Sequence, residues 1–112
     1  DQCQEVYFAD FLNQRLRKLV KSGSDWYIYT VAGTGVMASD SSCDTGCVPL
    51  EASLWNPRAL AFASNQDLYF VESGSKKILK LTTSIGDPGQ NPNATLIAFA
   101  GHGLPQSTQG SL

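Results

Sequence analysis

Leu68-Tyr69-Phe70-Val71-Glu72-Ser73-Gly74-Ser75-Lys76-Lys77-Ile78-Leu79-Lys80-Leu81 occurs twice in outline in this chain. The other copy is Val6-Tyr7-Phe8-Ala9-Asp10-Phe11-Leu12-Asn13-Gln14-Arg15-Leu16-Arg17-Lys18-Leu19, displaced by 62 positions (68 to 6) without a gap. Tyr-Phe meets Tyr-Phe, Asp10 meets Glu72, and Arg17-Lys18-Leu19 meets Leu79-Lys80-Leu81. Downstream, Val31-Ala32-Gly33-Thr34-Gly35 lines up with Phe99-Ala100-Gly101-His102-Gly103, displaced by 68 (99 to 31). The six extra residues fall in the loop 85–94. A unit repeated at this distance is one supersecondary module that buries its faces against neighbours.

Each copy reads as short strands. Val6 to Asp10 and Leu68 to Glu72 are aromatic and apolar and end in an acid. Arg15 to Val20 and Lys77 to Thr82 follow Leu-Asn-Gln and Gly-Ser-Lys turns. Trp26 to Ala32 and Thr95 to Ala100 are β-branched or aromatic and stop at Gly-x-Gly. One more strand, Ala59 to Ala63, follows Asn56-Pro57-Arg58 and precedes the Ser64-Asn65-Gln66-Asp67 turn. No window of more than ten residues holds a helical period. Glu72 to Leu81 has Ser-Gly-Ser inside it, which disfavours helix there and in its counterpart Asp10 to Leu19.

Residues 36–53 form a long connection of Ser, Asp, Gly and Cys, and a connection of that length needs a tie. Cys43-Asp44-Thr45-Gly46-Cys47 supplies one, since a short loop with a Gly tolerates a local disulfide. A metal site is the weaker reading, because no second Cys pair exists and the only imidazole, His102, is far along the chain. Two inert thiols are the third reading. Pairing Cys43 with Cys47 leaves Cys3 odd, which implies a partner outside the segment. Asn93-Ala94-Thr95 is a glycosylation sequon in a Pro/Gly/Asn-rich stretch. Cysteine pair and sequon together point to an extracellular or secreted setting.

Composition removes other classes. The 112 residues suffice for one small domain, and 42% hydrophobic residues allow a packed core. Eight basic against ten acidic residues give a net charge of −2, which excludes a globally basic nucleic-acid binder. No basic and apolar leader is legible at Asp1, and no stretch is apolar for long enough to span a bilayer. No G-x-S-x-G motif and no second imidazole support a nucleophile triad.

The unit opening at Trp55-Asn56-Pro57 resembles an NHL repeat. The residues that carry the likeness are Pro57-Arg58-Ala59-Leu60-Ala61-Phe62, Asp67-Leu68-Tyr69-Phe70-Val71-Glu72 and Lys77-Ile78-Leu79-Lys80-Leu81. Val6-Tyr7-Phe8-Ala9-Asp10 with Asn13-Gln14-Arg15-Leu16-Arg17-Lys18, and the Val31-Ala32-Gly33-Thr34-Gly35 ending, are similar to the same family. The resemblance implies an all-β chain of four-stranded antiparallel propeller blades, here an incomplete propeller or a segment of a larger one. Residues 1–35 are then the last three strands of a first blade. Residues 36–53 are the cysteine loop, 54–103 a complete blade, and 104–112 a linker toward the next.

A closed propeller needs about 4 to 8 blades, and this chain supplies fewer than two. Alone it would expose the faces carrying Tyr7, Phe8, Leu60, Phe62, Tyr69 and Phe70, together with an open strand edge. The expected partners are therefore other blades of the same protein, further copies of this chain, or other proteins. The expected role is that of an extracellular scaffold or assembly module, in a fibre or lattice if the contacts propagate. It would carry a glycan on Asn93 and need no cofactor. The alternative is a propeller enzyme, a metal-dependent lyase or a hydrolase, whose site lies in other blades. RNA binding through Arg15, Arg17, Lys18, Lys76, Lys77 and Lys80 is a third reading. The plainer one has these cations neutralise Asp10, Glu72 and their neighbours. Asp10 and Glu72 recur at one place in each unit, so they read as turn residues accepting backbone N–H bonds rather than as paired catalytic or Ca²⁺-binding carboxylates.

Overall fold

Among the described residues seven strands form two antiparallel sheets, one after the other along the chain. The first sheet contains β1 (Gln4–Asp10), β2 (Arg15–Ser22) and β3 (Asp25–Ala32) in that order. The second contains β4 (Pro57–Phe62), β5 (Leu68–Glu72), β6 (Lys77–Leu81) and β7 (Leu96–Ala100). The computed structural model describes residues 4–38, 40–83 and 91–101. Cys3, His102, residues 85–90 of the expected loop and the linker 104–112 lie outside the described residues, with the expectations attached to them.

The strands run close to where the sequence places them, with one informative difference. β4 opens at Pro57, two residues before the expected Ala59, and ends at Phe62 rather than Ala63. Proline is tolerated because it is the first residue of an edge strand, where no ladder donor is needed. The strand then kinks. Ala59 sits at φ 51°, and the register with β5 shifts between Arg58 and Leu60. A bulge of this kind adds one unpaired residue and twists the edge.

The two sheets share one pairing register. Val6 faces Leu19, which faces Ile28. Leu68 faces Leu81, which faces Leu96. Tyr7, Lys18 and Tyr29 form the adjacent row, matched by Tyr69, Lys80 and Ile97. Even the irregularity recurs, between Leu16 and Arg17 in one sheet and between Ile78 and Leu79 in the other. Gln14 and Lys76 precede β2 and β6 in left-handed backbone conformation, at φ 55° and 61°. A Cβ on Gly33 would strike the Gln14 carbonyl, and one on Gly101 would strike the Lys76 carbonyl. Both glycines also have positive φ, 102° and 88°. Close approach and backbone angle together leave room for glycine alone at these two places.

The core lies between the sheets. Leu16, Val31 and Ala32 of the first sheet meet Leu68, Phe70, Leu79, Leu81 and Leu96 of the second, with Cys43, Ala52 and Leu54 from the connection. Period-two alternation therefore divides the six packing residues named from the sequence. Phe70 is buried in the core, and Tyr7 and Leu60 pack against it. Phe62 is half in solvent at the rim and meets Tyr7 edge-on, with ring centroids 5.3 Å apart. Phe8 and Tyr69 stand on the opposite faces of their sheets, away from this core.

The connection 36–53 is more ordered than a loop held by a single tie. It carries short 3-10 turns at Ser41–Asp44 and Pro49–Glu51. It also bonds to both sheets: Gly33 N–H donates to the Pro49 carbonyl at 3.0 Å, and Cys47 exchanges backbone bonds of 2.8 and 2.9 Å with Leu96. The second pair lies along the open edge of β7 and satisfies groups there that an edge strand otherwise presents to other chains.

Candidate functional site

Each sheet has a second face, turned away from the core. On the first sheet this face carries Val6, Phe8, Leu19 and Ile28 together with Asp10, Arg15, Arg17 and Lys21. Val6 is 51% exposed and Ile28 53%. On the second sheet it carries Tyr69, Val71, Ile78, Lys80, Ile97 and Phe99. Tyr69 and Phe99 pack edge-on with centroids 4.9 Å apart. A shallow depression of about 190 Å³ on this face is lined by Ala59, Ala61, Tyr69, Val71 and Ile78. The outer face of the second sheet is therefore apolar apart from Lys80, while that of the first mixes apolar and charged residues in the manner of a solvated antiparallel face. A second opening of about 370 Å³ lies at the rim between the sheets, among Glu5, Tyr7, Phe62, Gln66 and Thr83.

The paired carboxylates have unlike surroundings despite their equivalent positions. Glu72 is 2% exposed. It accepts the Trp55 backbone N–H at 2.9 Å and the Ser75 hydroxyl. The backbone donor thus comes from the segment before β4 and not from the turn of Glu72 itself, which corrects the expectation. Among the described residues Asp10 accepts no backbone N–H. It takes the Asn13 side-chain amide at 2.9 Å and lies 3.4 Å from Arg17 Nε. Neither carboxylate forms an acid–base pair with the other. Among the described residues no group of three His, Cys, Asp or Glu could hold a metal ion.

The cations are dispersed rather than gathered on one face. Arg15 donates to the Thr34 carbonyl at 3.1 Å. Lys18 is 4% exposed, with Nζ 3.6 Å from Glu5 and 5.9 and 5.8 Å from the Tyr7 and Tyr29 ring centres. Lys77 reaches Asp44 of the cysteine loop at 2.9 Å, not the Glu72 opposite it in register. Such burial of a lysine follows from its long apolar stem and from a partner at its tip, and no spacing in the sequence separates Lys18 from Lys80 in advance.

Cys43 and Cys47 are joined by a disulfide with Cα atoms 4.7 Å apart, and Cys43 is in the core. Asp40 organises the start of this loop. Its carboxylate accepts the Ser42 hydroxyl at 2.6 Å, the Ser42 N–H at 3.1 Å and the Ser53 N–H at 3.2 Å. These bonds, the Ser42 hydroxyl first, hold its pKa below the ordinary 3.8. Sequence reading passed over Asp40; the signal was its place two residues before a Ser, the N-cap pattern. Asn93 is exposed, its N–H bonded to Asn91 Oδ1 at 2.9 Å. Trp55 rests on the backbone of Gly74, which leaves no room for a Cβ there. Trp26 is half exposed, with Lys21 Nζ 5.9 Å from its ring.

Among the described residues no helix is long and apolar enough to cross a membrane. In comparisons with known proteins, no family model matches the chain and the curated proteins give no match.

Proposed function

We propose that this chain is a segment of an extracellular β-propeller of NHL type, acting as a structural or protein-interaction scaffold. The observation that carries this reading is the second sheet, which is buried on its inner side and lined by Tyr69, Val71, Ile78, Ile97 and Phe99 on its outer side. A sheet with two greasy faces is stable in water only as an inner layer of a stack. The register repeated from sheet to sheet supports identical modules stacked in one direction. The Cys43–Cys47 disulfide supports an oxidising compartment. The exposed Asn93 backs a glycan at the sequon.

The test uses the protein isolated from its source without reductant. Cys43 and Cys47 should resist alkylation until reduced, Asn93 should carry glycan mass, and electron microscopy should show a ring of radially stacked sheets. Free thiols at both positions with a bare Asn93 would remove the extracellular assignment. A particle made of two sheets alone would remove the propeller.

A further inference from the structure

The opening at the rim, about 370 Å³, is of ligand size, since small-molecule sites begin at about 300 Å³. It lies between the two sheets of this chain, so it does not depend on what covers their outer faces. Tyr7 and Phe62 form its apolar side. Their rings meet at 80°, and Phe62 is 54% exposed. Glu5, Gln66 and Thr83 form its polar side. That side is held in place by the turn before β5. Asp67 N–H donates to Asn65 Oδ1 at 3.0 Å, and Thr83 N–H donates to Asp67 Oδ1 at 3.1 Å. A lining fixed in this way orders little on binding.

The charge of the lining selects the ligand. Among the described residues of the lining only Glu5 is charged, and Lys18 Nζ stands 3.6 Å from its carboxylate. A cation would compete with Lys18 for Glu5, and an anion would meet the carboxylate, so the cavity suits a neutral molecule. The Thr83 hydroxyl spends its proton on the Gln66 carbonyl, and a carboxylate only accepts. The polar side is therefore rich in acceptors, beside two aromatic rings whose faces attract C–H groups. A ligand that matches both carries hydroxyl donors along an edge and C–H groups on a face. We infer that this rim cavity binds a neutral pyranose sugar, its C–H face on Phe62 and Tyr7 and its hydroxyls donating to Glu5 and Thr83. The sugar has two sources, a foreign saccharide or a glycan on this chain's own Asn93. Thr82 N–H donates to the Thr95 carbonyl at 2.9 Å, which puts the sequon and Thr83 at the same end of the second sheet. The second source rests on the glycan proposed above; the site itself does not.

The experiment is an NMR titration of the full chain, disulfide intact, that follows Tyr7, Phe62, Gln66 and Thr83. The probes are N,N′-diacetylchitobiose, maltose and choline. In Asn93→Gln, which carries no glycan there, one of the two sugars should saturate shifts confined to these residues, with Kd about 1 mM. Phe62→Ala should bind about 10-fold more weakly and Phe62→Trp should restore binding, with circular dichroism to check that both are folded. The glycosylated wild type separates the sources. Shifts already displaced from those of Asn93→Gln, with no response to added sugar, identify the chain's own glycan as occupant. Binding equal to that of Asn93→Gln identifies a foreign saccharide. Three results overturn the site: no saturable shift with either sugar up to about 100 mM in Asn93→Gln, unchanged affinity in Phe62→Ala, or choline binding more tightly than both sugars.

Discussion

Glu72 and Asp10 occupy the same place in the repeat, yet their surroundings assign them different weights. Glu72→Ala leaves a buried N–H of Trp55 and the Ser75 hydroxyl without their acceptor, at a cost of about 2–3 kcal/mol. Asp10→Ala removes a partly exposed ion pair with Arg17, which costs about 1 kcal/mol or less. Urea unfolding of the two variants should show this order; equal losses would mean that position in the repeat outweighs burial. Asp40 sets an acid limit on the cysteine loop. Its folded pKa lies below the ordinary 3.8, so its contribution is present above that value and fades as pH falls through the folded pKa. The wild type should therefore lose stability below about pH 4 more steeply than Asp40→Asn, as thermal melts between neutral and acid pH would show.

At the level of elements, the Gly-x-Gly stop after the outer strand has a mechanical reason. The carbonyls of Gln14 and Lys76 close on Gly33 and Gly101, and both glycines are left-handed. Gly23 is left-handed as well, at φ 64°, but a Cβ there meets nothing within 4 Å. Gly33→Ala should therefore cost about 3 kcal/mol or more, from clash and backbone together, and Gly23→Ala only about 1 kcal/mol. Chemical denaturation of the two variants separates the terms. Similar losses would show that the Gln14 carbonyl moves aside freely. The amides of Gln14 and Asn56 add a second tie: Gln14 Nε2 donates to Asn56 Oδ1 at 3.2 Å, and Asn56 N–H donates to Gln14 Oε1 at 2.7 Å. This exchange links the β1–β2 turn to the approach to β4.

For the whole molecule, one core joins two sheets that each have an unused face. Leu54, fully buried, comes from the connection rather than from either sheet. It lies 3.2 Å from the position of a Cβ on Gly33 and also forms a bridge with Met37. Leu54→Ala should cost about 2–4 kcal/mol, and near- and far-UV signals should shift together in denaturant. A change in one signal alone would mean that the sheets unfold independently and that Leu54 does not couple them.

Strand positions, the two-copy pattern and the cysteine loop were legible in the residues, because period-two alternation, turn-forming residues and close spacing are local properties. Leu68 to Glu72 was placed to the residue. The start of β4 was not, because a left-handed Ala59 and an edge proline are permitted only by the strand beside them. The Trp55 donor to Glu72, the burial of Lys18 and the choice of Asp44 by Lys77 also lay beyond the sequence, since each depends on residues about 13 to 33 positions away brought close by folding. By itself the sequence determined that the chain is built of short alternating strands and that the unit recurs. Only the tertiary structure decided which side is used within the chain and which is left for a neighbour. Side-chain alternation defines two faces, and only packing one of them against another sheet tells them apart.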